Sequence, residues 1–141
     1  MMKRILAFDV GDKRIGVAVS DALGITAQPV ETYHRKGGAE KDAAYLLQLA
    51  EKYAPCMLLF GLPRNMDGTY GEQAQKVKQF AQRIIDRWPG EYAFYDERLT
   101  TMAARRVLLD ADISREKRKQ VIDKMAAVVI LQGYMESHCN G

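Results

Sequence analysis

The sequence predicts an α/β fold in three layers, a mixed five-stranded sheet with helices on both faces. Three observations predict it. Two apolar runs without polar alternation, RILAFDV at 4–10 and CMLLFGLP at 56–63, read as strands covered on both sides. Segments with apolar residues at helical spacing lie between and after them. Strands that alternate with helices are joined by crossovers, and crossovers make the strands parallel.

The elements follow in order. After the strand at 4–10, GDK at 11–13 signals a turn, and RIGVAVSD at 14–21 reads as the return strand of a hairpin. ITAQPVETYHR at 25–35 is a third, weaker strand, whose Pro29 requires an edge position or a bulge. The glycines at 37 and 38 break the chain. Ala43, Leu46, Leu47, Ala50 and Tyr53 then recur at helical spacing, and Pro55 ends that helix. Beyond the strand at 56–63, Thr69 and Glu72 form a capping-box pattern. It would open a helix with Ala74, Val77, Ala81, Ile84 and Trp88 on one face. EYAFY at 91–95 is the last strand, and Thr100 or Thr101 caps a helix reaching about Leu109. DISREKRKQ reads as a basic break before a long apolar helix at 121–135. The strands at 5–10, 56–61 and 91–95 should be parallel, with their C-terminal ends on one rim, where open α/β sheets bind ligands.

The 141 residues suit one domain, 1–141, and 48% apolar content suffices for a core. A net charge of +3 is compatible with a polyanionic partner without requiring one. With only two cysteines, Cys56 and Cys139, the chain is no disulfide scaffold, and a reducing cytoplasm is the expected setting. The short apolar run before Asp9 is too brief for a signal peptide or membrane span. His34 and His138 share no zinc spacing with the cysteines, and no Ser or Cys sits in a nucleophile motif.

The predicted rim gathers carboxylates. Asp9 ends the first strand, and Asp96 and Glu97 end the last. On the final helix, Asp123 shares a face with Ala127, Ile130 and Tyr134. An ionised carboxylate near a core costs several kcal/mol, roughly, unless it is compensated. Three converging hard oxygen ligands suit Mg²⁺ or Mn²⁺. Two such ions clamp the attacking and leaving oxygens of a phosphodiester. Ordinary readings stand beside this one. Asp9 alone suits a turn, Asp123 a cap or a pairing with Lys119 or Lys124, and Asp96 and Glu97 a pairing with Arg98. Lys13 and Arg14 suit a phosphate backbone or an ordinary hairpin tip, and Arg64 lies in a glycine-bearing loop before a helix, which attracts anions. The basic run at 115–119 reads as a solvated face.

Four motifs in order, DVGDKRIGVAVSD at 9–21, GLPRNMDGTYGEQA at 61–74, DERLTT at 96–101 and IDKMAAVVILQGY at 122–134, resemble the YqgF family. That family is one of pre-16S rRNA nucleases, also described as Holliday-junction-resolvase-like. The resemblance spans essentially the whole chain and implies a ribonuclease-H-like fold. It implies that Asp9, Glu97 and Asp123 are metal-binding catalytic acids, Asp9 bridging two ions and the others holding one each. In many relatives of this fold an acid follows the fourth strand; here that stretch is FGLPR, with no carboxylate until Asp67. The expected activity is metal-dependent cleavage of structured RNA, with branched DNA as the alternative substrate. Lys13, Arg14, Arg64 and Arg98 would hold the backbone, and the chain would act as a monomer or weak homodimer without a membrane. Two rivals remain: a non-catalytic nucleic-acid-binding module, and the sugar-kinase/actin-like ATPases. The latter also open with Asp-x-Gly and a hairpin, but bind nucleotide between two such domains.

Overall fold

The computed structural model describes residues 4–21, 26–55, 57–63, 71–96 and 115–138, with side chains for all of these but 96, 115–124, 137 and 138. The elements are β1 (Ile5–Val10), β2 (Arg14–Ser20), β3 (Ala27–His34), α1 (Ala39–Tyr53), β4 (Met57–Leu62), α2 (Glu72–Ile85), β5 (Glu91–Asp96) and α3 (Arg115–His138). One sheet holds all five strands in the order β3-β2-β1-β4-β5. β1 pairs antiparallel with β2, and β2 with β3, whereas β4 runs parallel to both β1 and β5.

Each strand's place follows from its residues. β1 and β4 are apolar on both faces and occupy the middle of the sheet. Pro29 lacks the N–H that a central ladder needs, and β3 is indeed an edge strand. It also bulges: Val17 pairs with Glu31 and Ala18 with Pro29, so Val30 is the extra residue.

Period-two alternation splits the apolar residues into two cores. Leu6, Phe8, Val10, Leu58, Phe60 and Leu62 face α1 and α2. Ile5, Ala7, Ala18, Met57 and Leu59 face Ala127, Ile130, Leu131 and Met135 of α3. On the first face the rings of Phe8, Phe60 and Phe94 run across three neighbouring strands, with centroid spacings of 5.5 and 5.7 Å. At the edge of that layer, Glu40 of α1 accepts hydrogen bonds from Arg83 in α2 and from Arg87 just beyond it. Arg87 first, then Arg83, holds this exposed carboxyl below its usual range.

Some expectations are corrected. α2 does not begin with a capping box: its N-cap is Gly71, with no side-chain cap bond, and Glu72 is the first helical residue. A Thr69 cap would put Glu72 at the third helical position; Thr69 itself lies outside the described residues. The basic break before the last helix is itself helical from Arg115, so α3 has 24 residues. Arg, Lys, Glu and Gln are good helix formers, so a charged run need not interrupt a helix. The buried face of α1 adds Leu49 to the expected Ala43, Leu46 and Ala50, with Leu47 and Tyr53 partly buried against the same core, and it includes a carboxylate, Asp42. The helix expected over 101–109 lies outside the described residues.

Candidate active site

The C-terminal ends of β1, β4 and β5 meet on one rim, as parallel pairing requires. Asp9 is the fifth of six residues in β1, directly opposite Gly16 of β2. It therefore sits within the strand ladder and is no turn residue. Ile5 and Ala7 point to the α3 face, so alternation sends the Asp9 side chain the same way. It is half-buried, unlike the fully covered apolar residues before it.

Its neighbours across the sheet are small. One step past the Phe8–Phe60 pair lie Asp9 and Gly61, and Gly61 in turn pairs with Tyr95. Thus Gly16 and Gly61 flank Asp9 on the two adjacent strands. Facing Cβ atoms on neighbouring strands lie about 4.5–5.5 Å apart. Neither glycine puts a side chain of its own beside the carboxylate. Sequence reasoning missed this pair, because the relationship is visible only in the strand register.

Of the other predicted acids, Asp96 and Asp123 are placed by backbone alone. Asp96 ends β5, paired with Leu62, which leaves the next residue, Glu97, just outside the described residues. Asp123 belongs to α3, one turn before Ala127 and two before Ile130, both fully buried against the Asp9 face of the sheet. Near the other end of α3, the Tyr134 hydroxyl reaches the Met57 sulfur at the start of β4, 3.6 Å away. Of the four acids, only Asp9 has a described side chain, and among the described residues no group of three metal-ligating side chains occurs.

Of the predicted phosphate contacts, Lys13 is exposed at the hairpin tip and Arg14 opens β2. Arg64 and Arg98 lie outside the described residues. The tip is tight: the Gly11 N–H donates to the Arg14 carbonyl at 2.8 Å, and a Cβ at Gly11 would sit 2.8 Å from that same oxygen. Glycine is required there by contact rather than by backbone conformation.

The tip is also anchored. Arg35, just past β3, donates from its backbone N–H to the Lys13 carbonyl at 2.9 Å and from Nη1 to the Gly11 carbonyl at 2.9 Å. Its Nε donates to Asp42 Oδ2 at 2.8 Å, and its guanidinium lies 4.7 Å over the Phe80 ring. Asp42 is 1% exposed and accepts a second bond, 2.8 Å, from the Tyr33 hydroxyl. Burial first, then the bond to Asp42, raises the Tyr33 pKa. A buried carboxylate in the first turn of α1 thus fixes the arginine that holds the hairpin beside Asp9.

Comparisons with known proteins bear on the whole chain. The model of the family described as "RuvX: Holliday junction resolvase" matches residues 3–137. A protein of Clostridium novyi (strain NT) named "Putative pre-16S rRNA nuclease" is 49% identical over 134 residues, 95% of this chain and 98% of the relative. One of the same name from Desulforamulus reducens is 50% identical, covering 95% of this chain and 97% of its own. Among solved structures, T. thermophilus RuvC in complex with a Holliday junction substrate aligns with a TM-score of 0.61 at 14% identity, over 96% of each chain. A further Thermus thermophilus RuvC structure aligns with a TM-score of 0.53. This likeness shows the fold, which is that of RuvC and its ribonuclease-H-like relatives.

Proposed function

The chain belongs to the RuvX family, and on that premise we propose that it is a metal-dependent nuclease that hydrolyses phosphodiester bonds in structured RNA, processing the 5′ end of pre-16S rRNA. One domain, residues 1–141, carries the activity in the cytoplasm, as a monomer or weak homodimer. The observation that carries the reading is the setting of Asp9: a half-buried carboxylate near the end of a central strand, flanked by two glycines at a rim where parallel strands end. Its relatives' names supply the substrate.

The donor chemistry fits Mg²⁺ or Mn²⁺, since every proposed ligand is a hard carboxylate oxygen. Any larger residue in place of Gly16 or Gly61 would put a side chain beside Asp9. Asp9, Glu97 and Asp123 would hold the metal, which supplies neutralisation of charge on the attacking water and on the leaving 3′ oxygen. The chain's own work is positional. The strand ladder fixes Asp9, and the Arg35 anchor fixes the hairpin that offers Lys13 and Arg14 to the phosphate backbone. Arg64 and Arg98 complete the proposed set of backbone contacts.

A second reading, branched DNA as substrate, rests on the description of the matching family as Holliday junction resolvases. One assay separates the two: precursor rRNA, a four-way DNA junction and single-stranded controls, each with and without Mn²⁺. Mn²⁺-dependent cleavage of the rRNA precursor alone supports the first reading. Cleavage of the junction alone supports the second, and cleavage of neither overturns both.

A further inference from the structure

We propose that a basic cleft on the α1/α2 face, across the hairpin tip from Asp9, binds backbone phosphates of the strand that the active site cuts. This rests on the nuclease reading above and extends it to a second contact region. The cleft encloses about 710 Å³, within the size range of small-ligand sites. The hairpin tip forms one wall with Asp12 and Lys13, α2 forms another with Lys76 and Arg83, and Arg35 lies between. Asp12 and Lys13 follow Asp9 by three and four residues, so the hairpin that carries Asp9 also forms a wall of the cleft.

The charge is cationic and only partly answered. Asp42, the buried acid of the lining, is committed to Arg35. Lys76 reaches Asp12 only at 3.9 Å, with both side chains more than half exposed. Arg83 shares Glu40 with Arg87, two cations on one acid. Lys13 has no acidic partner among the described residues. The floor adds a helix N-terminus. α1 starts in the cleft at Gly37–Gly38–Ala39, and its N-cap Gly38 makes no side-chain cap bond. The positive end of the helix therefore borders the same space as the cations.

The chemistry selects phosphate over base. The one aromatic among the described lining residues, Phe80, is 5% exposed, and the Arg35 guanidinium covers its ring. Among the described lining residues no ring is left for a base to stack on, so the cleft follows the backbone whatever the sequence. A strand held there would cross the tip and meet Asp9 on the far side of the sheet. Strands too short to cross would bind at the rim alone.

The test is binding rather than cleavage, using the full chain as Asp9→Asn with a labelled long RNA strand, a labelled oligonucleotide of a few nucleotides, and a free nucleoside 5′-monophosphate. Lys76→Gln/Arg83→Gln in that background should bind the long strand about tenfold more weakly and lower its salt slope by roughly 1.4–1.8, at about 0.7–0.9 per phosphate contact. The short oligonucleotide should bind as before, and Lys76→Arg/Arg83→Lys should restore the long-strand affinity. Lys76→Gln alone, at an exposed site, should show about half the change in slope with an unchanged melting temperature. Long-strand affinity and slope equal to those of the Asp9→Asn parent would overturn the cleft and leave the nuclease reading standing. So would an equal loss on long and short strands, or a loss confined to the monophosphate. A parent that binds no strand would overturn both.

Discussion

Arg35 ties a buried carboxylate, Asp42, to the carbonyl of Gly11, two residues past Asp9. The hairpin that borders the candidate active site is thereby fixed from the opposite face of the sheet. Asp42 is 1% exposed, and the Arg35 side chain is 19% exposed. Removing one partner of so covered a pair leaves the other charge without compensation. Asp42→Ala should cost about 3 kcal/mol, measured by urea unfolding. Asp42→Asn, which keeps the shape but not the charge, should cost less. If Asp42→Ala unfolds like the parent, the network holds nothing in place.

The second prediction concerns close packing in α3. A Cβ on Gly133 would lie 2.8 Å from the Tyr95 hydroxyl and 3.3 Å from the ring carbon that bears it. Alanine gains about 1 kcal/mol of helix propensity, and overpacking costs about 1–3 kcal/mol. Gly133→Ala should therefore be destabilising in the parent and neutral or stabilising in Tyr95→Phe, where the closest atom is gone. A double-mutant cycle measures this coupling. Equal effects in both backgrounds would show that Tyr95 does not require the glycine.

A third prediction concerns alkaline pH. The bond from the Tyr45 hydroxyl to Glu31, aided by burial, pushes the Tyr45 pKa up to about 12 from an ordinary 10.0. Between those values the folded protein keeps the proton and the unfolded chain loses it. The unfolded state then binds fewer protons, so stability is fully present below about pH 10 and declines toward about pH 12. Tyr45→Phe should flatten that decline, leaving the part due to Tyr33, which stacks on Tyr45 with ring centroids 4.4 Å apart and is shifted the same way. Unfolding free energies at about pH 8 and about pH 11 decide it; the same loss in both proteins would contradict the assignment.

These relationships mark the limits of reading the sequence. The central place of β1 and β4 was legible because their residues are apolar on both faces. Pro29 announced an edge or a bulge, and β3 has both. Asp42 was illegible: an acid in the first turn of an amphipathic helix reads as solvated, and its partners Tyr33 and Arg35 come from around another strand. Gly16 and Gly61 were illegible for the same reason, since only strand register brings them beside Asp9. The start of α3 was missed because charge was taken for a break. Of the proposed catalytic acids, Asp9 was placed near the C-terminal end of β1 by its strand alone, whereas Asp123 depended on helical spacing and on which face of the sheet α3 covers.

The last prediction tests the acids through metal rather than through cleavage. If Asp9 and Asp123 share a site, their charges repel in the metal-free protein, and a divalent ion relieves that repulsion in the folded state only. Mn²⁺ at a hundred times its Kd should stabilise the parent by about 2.7 kcal/mol through linkage. Asp9→Asn keeps the size and polarity of the side chain within the β1 ladder, so the metal-free variant should melt close to the parent. It removes a ligand, so the Mn²⁺ shift should collapse, and cleavage with it. Asp123→Asn should behave alike, with metal-free stability unchanged or raised because one like charge is gone. A capping or ion-pairing role for Asp123 demands the opposite pattern, a less stable metal-free variant with the full Mn²⁺ shift. Melting curves of the parent and both variants, with and without Mn²⁺, distinguish the two. An undiminished shift in Asp9→Asn would remove the central ligand from the proposed site, and the nuclease reading would then have to be rebuilt on other residues.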